Sequence, residues 1–450
     1  MLENKKNKLE LFKSNPTKAL WTLSIPMMLG MSVQAIYMLI DTAFIGKWVG
    51  GSALAGLGLI FPPLFIIMGI TFGLGSGATT VIAKSIGEKN KSKADNAANH
   101  IIILGILLSL FLIIFGYLFG ENIIKYQSNE PSIMKHASDY FFTMLLGTFF
   151  MIMSIFFRSI LSGEGDNLFP MKVLGLGTLI NLILDPIFIY NYQIKGAALA
   201  TVISQIIVFF IFTFIMIFKK TTYINITLSK FKFNSNILMQ ILRLGVPASL
   251  SMLIMSIGLF FYNKILAMTD FPVESIAAYS TAHRIEHLFF IPIISIATSM
   301  VTLVGMFYGA KRLDLINKVI FYGLKNAIAI SCIFGFLFFT SAKYIFPLFT
   351  NDLEIIKIGI EYFKIFSFAI PFVTATMICS RVMQGLGKAY PMLIITCLRV
   401  IIISCFLAYL FIECLNKPLF FAWYAILISC IFSSILATLW MLIIKKSIFK

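Results

Sequence analysis

Acidic side chains are scarce in this sequence: 19 Asp and Glu stand against 36 Lys and Arg in 450 residues, and all charged residues together make up 12%. A soluble globular chain carries about twice that charged fraction, which excludes a water-facing surface over most of this one. Histidine is rarer still, at four, and shows no metal-ligand spacing. The six cysteines (Cys332, Cys379, Cys397, Cys405, Cys414 and Cys430) all fall in the second half and form no CxxC pair. They read as small core residues and support neither a disulfide framework nor a metal centre. A small-residue cleavage site is missing after the first apolar stretch, which is also longer than a signal-peptide core, so that stretch is expected to be retained as a helix.

What the chain has in excess is apolar length. Hydrophobic residues make up 59% and the mean hydropathy is +0.94. Runs of about 20 apolar residues, the length that crosses a bilayer, occur at 19–46, 53–80, 96–120, 137–159, 168–190, 196–218, 237–267, 275–304, 317–341, 357–380, 390–412 and 419–443. The fold class predicted is all-α and polytopic, with twelve transmembrane helices. The net charge of +17 is not gathered on one arm or helix, so nucleic acid is not an expected partner. Instead 24 of the 36 basic residues lie in the termini and alternate loops and eight in the opposite loops. By the positive-inside rule both termini face the cytoplasm.

The two halves repeat. A shift of 221 to 223 residues superposes Pro26 on Pro247, Gly87 on Gly309, Arg158 on Arg381, Gly163 and Gly165 on Gly385 and Gly387, and Pro170 on Pro391. Six helices per half insert the same way round, the parallel repeat common in secondary transporters. The reading is an N-terminal lobe (1–220), a polar cytoplasmic linker (221–235) and a C-terminal lobe (236–450), pseudo-symmetric around a central cleft.

Two of the few acids, Asp41 and Asp185, lie inside membrane-length apolar runs. A carboxylate at that depth costs several kcal/mol unless it has a partner or a function. Asp41 precedes Lys47 by six residues, Asp185 precedes Asn191 by six, and Thr201 follows Lys195 by six. At about 1.5 Å per residue, all three sit roughly 9 Å below the outer ends of their helices. Asn181 lies one turn from Asp185 on the same face. Such oxygen donors suit a hard cation such as Na+ or shared protons. Gln34, Tyr37 and Met38, on the inward side of Asp41, and Asn263, which maps onto Asp41 in the repeat, are candidate substrate-chamber residues. Pro26, on the same helix as Asp41, is a candidate hinge. In the second half, Glu286 lies roughly 15 Å into its span and is flanked by His283, Arg284 and His287, a candidate polar network.

Several stretches resemble the multidrug and toxic compound extrusion (MATE) family: LSIPMMLGMSVQAIYMLIDTAFIG (Leu23 to Gly46), RSILSGEGDNLFPM (Arg158 to Met171), NLILDPIFI (Asn181 to Ile189), GAALATVISQ (Gly196 to Gln205), VTLVGMFYGAK (Val301 to Lys311) and RVMQGLGKAYPM (Arg381 to Met392). Within that family the chain is most similar to the subfamily named for DNA-damage-inducible protein F. The resemblance implies a cell-membrane antiporter rather than an enzyme. It would export cationic or amphipathic drug-like compounds by alternating access, driven by inward H+ or Na+, with no cofactor. It implies a coupling-ion site of Asp41, Asn181, Asp185 and Thr201 with the Ala197 carbonyl, and a bend at Pro26 that responds to protonation. A monomer in the lipid bilayer is expected. The rival transporter reading is a lipid-linked oligosaccharide flippase of the same superfamily, which would need a strongly cationic cavity for pyrophosphate.

Overall fold

The computed structural model describes residues 8–127, 130–227, 229 and 231–448, with the side chains of Leu39 and Ala43 outside that description. Lys5, Lys6, Lys230 and Lys450, which count toward the orientation argument, fall outside it as well. Among the described residues, eleven helices are long and apolar enough to cross a membrane. One of them, Leu168–Phe218, is two spans joined, because Gln193 breaks the helix with φ 53° and ψ −136°. The all-α, twelve-span plan is therefore present, as twelve membrane-length segments on eleven continuous helices.

In chain order the helices are α1 (Leu9–Ser14), α2 (Pro16–Trp48), α3 (Gly51–Gly87), α4 (Lys91–Gln127), α5 (Pro131–Gly163), α6 (Leu168–Thr213), α7 (Ser235–Leu266), α8 (Pro272–Gly309), α9 (Leu313–Ile345), α10 (Leu353–Gly385), α11 (Tyr390–Cys397), α12 (Phe406–Tyr409) and α13 (Phe420–Ile448). π-Helical turns at Leu398–Cys405 and Leu410–Cys414 run α11 and α12 into one span. Most of these helices have little amphipathic contrast. That is expected where one side faces lipid and the other a lipid-like protein interior, so periodicity does not mark the buried face.

The chain forms two compact units. One holds Ile25–Val246 with the chain up to Glu10, and the other holds Leu11–Ser24 with Pro247 onward. α2 and α7 thus each pass from one unit to the other immediately before Pro26 and Pro247, which lie inside unbroken helices. Within the first unit α5 packs against α3, α4 and α6, and within the second α10 packs against α8, α9 and α13. The repeat is visible in the backbone too. Left-handed residues recur as Lys89 and Lys311, Gly165 and Gly387, and Gln193 and Asn416, at the shift that aligns the sequences.

The 221–235 segment is bound to the first unit through side chains that satisfy its backbone. The amide of Ile224 donates to Glu164 Oε2 at 2.9 Å, that of Asn225 to Asp95 Oδ1 at 2.9 Å, that of Thr227 to Asn99 Oδ1 at 3.1 Å and that of Asn234 to His100 Nε2 at 3.0 Å. Asn96 Nδ2 donates to the Lys232 carbonyl at 3.0 Å. Unpaired backbone groups are costly to bury, so these caps hold an irregular segment in place. Burial pushes the Glu164 carboxyl up to about 7, against the opposing effect of the Ile224 amide.

Of the six cysteines, Cys379, Cys405 and Cys430 are buried as expected of core residues, whereas Cys332 and Cys414 are exposed and Cys397 is half-buried. Hydrophobicity alone does not separate a lipid-facing thiol from a core one, since both surroundings are apolar.

Candidate functional site

The first unit buries Asp185 completely and Asn181 almost so, at 0% and 4% exposure. α6 sets these two residues one turn apart on one face, and Asn181 Nδ2 donates to Asp185 Oδ1 at 3.0 Å. α2 sets Tyr37 and Asp41 one turn apart in the same way. The Tyr37 hydroxyl donates to Asp185 Oδ2 at 3.1 Å, so both oxygens of Asp185 are occupied by neutral donors. Asp41 lies close enough to Asp185 for their charges to repel. Its Oδ1 is buried without a hydrogen-bond partner.

The reversal at Gln193 returns the chain and places Thr201 within hydrogen-bonding reach of Tyr37. A Cβ on Gly196 would collide with the Phe188 carbonyl, which explains a glycine at the start of the returning segment. Ala197 is 1% exposed and packs in the same apolar cluster as Ile45, Ile189 and Tyr140. Asp41, Asp185 and Thr201 therefore lie around Tyr37, and Asn181 joins them through Asp185. Two residues have a position that their sequence context did not reveal. Tyr37, read as chamber lining, is a direct partner of Asp185. Tyr140 of α5, 8% exposed, lies within charge-interaction distance of both aspartates. The one-turn spacing of Tyr37 and Asp41 hints at the first, and nothing in the local sequence points to the second.

The chemistry open to this nook is that of oxygen donors. Two unit charges 4 Å apart interact by about 4 kcal/mol at an effective dielectric of 20. Two ionised carboxylates there favour either a bound cation or a shared proton. The donor set, all oxygen and with no thiolate or imidazole, fits a hard monovalent ion or H+ and not a soft metal.

Among the remaining predicted residues, Gln34 and Met38 are exposed on α2, while Asn263, on α7 of the second unit, has a buried Oδ1 without a partner. Also in the second unit, Glu286 is 3% exposed and its Oε2 lies 3.0 Å from His283 Nδ1. Arg284 and His287 are exposed on the same helix and make no hydrogen bond or ion pair with Glu286 among the described residues.

A profile of the MatE family matches residues 26–187 and again 247–410, one match per half, starting at the two helix-interior prolines. A probable multidrug resistance protein NorM from Thermotoga maritima is 26% identical over 435 residues, covering 94% of this chain and 92% of its own length. A solved MOP-superfamily transporter from Pyrococcus furiosus, described as having a binding pocket whose reversed polarity suggests a different function, is 31% identical with a TM-score of 0.95 and full coverage of both chains. An outward-facing multidrug resistance MATE transporter of that superfamily is 30% identical with a TM-score of 0.92 over 98% of this chain and 99% of its own. Twelve membrane-length segments in two repeated halves, with two acids brought together in one of them, fit a membrane transporter. This chain belongs to the multidrug and toxic compound extrusion (MATE) family. Members of this family are multidrug transporters and not enzymes, and the flippase reading finds no support.

Proposed function

We propose that this protein is an antiporter of the cell membrane, both termini cytoplasmic, that exports cationic or amphipathic compounds in exchange for inward H+ or Na+. The observation that carries the reading is the Asp41 Oδ1 oxygen, buried and without a partner, beside an Asp185 whose two oxygens are already engaged. A buried acceptor left open costs about 1 to 3 kcal/mol, more when charged, and a transiently bound cation or proton removes that penalty. Asp41, Asp185, Asn181, Thr201 and the Ala197 carbonyl form the proposed coupling-ion site.

Gln34 and Met38 on the exposed side of α2, with Tyr37 behind them, are proposed substrate contacts, as is Asn263 in the second unit. Pro26 is the proposed hinge. It stands where α2 leaves one compact unit for the other, and it removes one helix hydrogen bond there. Loss of the ion's charge from Asp41 would be felt 15 residues along the same helix, which links ion occupancy to helix shape. The outward-facing state named for a 30% identical relative supports alternating access, as does the parallel repeat.

The test is counter-flow in proteoliposomes with proton and sodium gradients imposed separately, using a fluorescent cationic dye. Dye accumulation should follow one of the two gradients and fall by roughly tenfold or more in Asp41→Asn, equivalent to about 1.4 kcal/mol of lost coupling. Dye movement indifferent to both gradients, or undiminished in a well-folded Asp41→Asn, would overturn the proposal.

A further inference from the structure

The second unit has its own buried acid, and the first unit's proposed ion site makes no use of it. Glu286 on α8 is 3% exposed. Its Oε2 meets His283 Nδ1 at 3.0 Å, and its Oε1 is buried with no hydrogen-bond partner. His283 leaves 43% of its side chain exposed, against 5% for Glu286. A partly exposed imidazole therefore stands beside an enclosed carboxyl group.

The groups around the pair come from every packed helix. Tyr279 of α8 lies tilted against the His283 ring, with centroids 5.2 Å apart, and exposed His287 lies close enough to His283 for their charges to interact. The Tyr362 side chain of α10 comes within reach of a long hydrogen bond to the carboxyl, outside the geometry of a regular one. Arg399, in the π-helical turn, faces His283, Tyr279 and Cys430 of α13. Cys405 and Tyr262 complete the polar lining. On α9, the rings of Phe334 and Phe338 pack against Phe289 of α8. Among the described residues His283 is the ion-pair partner of Glu286, and Arg399 is a more distant positive charge.

We propose that His283 and Glu286 form a proton-binding site in the second unit, separate from the acid pair of the first. A neutral His283 that donates its Nδ1–H to Glu286 Oε2 takes a proton from water at Nε2 and passes its Nδ1 proton along the existing hydrogen bond to Oε2. This leaves an imidazole protonated at Nε2 and an uncharged carboxyl group. The gain is one proton per site, and the carboxylate charge disappears from an apolar interior where an ion is costly. Two coupled groups titrate as a pair, so the site has macroscopic steps belonging to both. The π-helical turn carrying Arg399 fits this role, because such turns widen a helix and recur at functional positions.

Trp423 provides a built-in reporter. It is 1% exposed, with its ring centroid 5.9 Å from Tyr279 and 5.0 Å from Tyr362. The other three of the four tryptophans, Trp21, Trp48 and Trp440, can be replaced by Phe in the full chain, whose emission is then followed from about pH 5 to about pH 9. The expected result is a transition that is lost in Glu286→Gln, shifted in midpoint in His283→Gln and retained in Asp41→Asn. A flat emission profile, or the same transition in Glu286→Gln, overturns the proposal. A midpoint unmoved in His283→Gln overturns the entry role of the imidazole. Should the triple Phe background fail to fold, the infrared band of protonated carboxyl groups serves in the otherwise unaltered chain. Its acid-dependent part should shrink in Glu286→Gln, and an unchanged band rejects the site. Neither readout measures transport, so failure here leaves the antiport reading standing.

Discussion

The Tyr37 hydroxyl donates to Asp185 Oδ2 at 3.1 Å, while Asp41, one turn further along the helix that carries Tyr37, faces the same carboxylate. One tyrosine thus ties two separate spans together beside the proposed ion. Tyr37→Phe removes the donor and keeps the ring. It should lower the thermal stability of the purified protein by the equivalent of about 1 to 3 kcal/mol, the cost of a buried acceptor left unpaired. The same change should alter the gradient dependence of dye counter-flow. A Tyr37→Phe protein that melts and transports as the parent does would show that this bond is incidental.

Pro26 interrupts hydrogen bonding inside α2 at the point where the helix leaves one unit for the other. Pro26→Ala restores an amide and raises local helix propensity by up to about 3 kcal/mol. Expected together are a melting temperature unchanged or higher and a transport rate severalfold lower. A rate equal to the parent's would remove the hinge role.

Glu164 caps the Ile224 amide from a position 6% exposed, and burial raises its pKa from 4.5 to about 7. An acid whose pKa rises on docking favours the docked state below its free pKa and loses that contribution as pH climbs through the raised value. Across that window the loss is on the order of 3 kcal/mol. Hydrogen exchange at Ile224, corrected for intrinsic pH dependence, should therefore accelerate from about pH 5 to about pH 8. Glu164→Gln, which cannot ionise, should flatten the trend.

Gly77 on α3 is pressed against α7. A Cβ there would stand 2.6 Å from the Ile241 carbonyl oxygen and 2.7 Å from the Gly245 nitrogen. Both obstacles are backbone, so rotamer changes cannot relieve the clash. Gly77→Ala should destabilise the protein by roughly 1 to 3 kcal/mol, read as a lower melting temperature in detergent. Gly175→Ala, with nothing within 4 Å of its Cβ, serves as the silent control.

The spans were legible because bilayer thickness imposes one length on every crossing helix, and twelve apolar runs of that length appear in the sequence. The loop from 190 to 196 was visible as polar residues, but not the left-handed Gln193 that turns two spans back on each other. The 221–235 connection read as polar and long. Its attachment to Asp95, Asn99, His100 and Glu164 depends on caps 60 or more residues away, and no local pattern encodes such contacts.

Residue type and spacing alone determined that this chain is membrane-embedded and that its halves repeat, and singled out Asp41, Asn181, Asp185 and Thr201 as polar residues inside apolar spans. Tertiary structure decided which of those oxygens are satisfied and which stand open. It also assigned Tyr37 to the acid pair and isolated Glu286 behind His283. Depth follows from counting along single helices, whereas hydrogen-bond partners follow from the rotation of each helix about its own axis. In an apolar solvent and an apolar core that rotation leaves almost no periodic trace in the sequence.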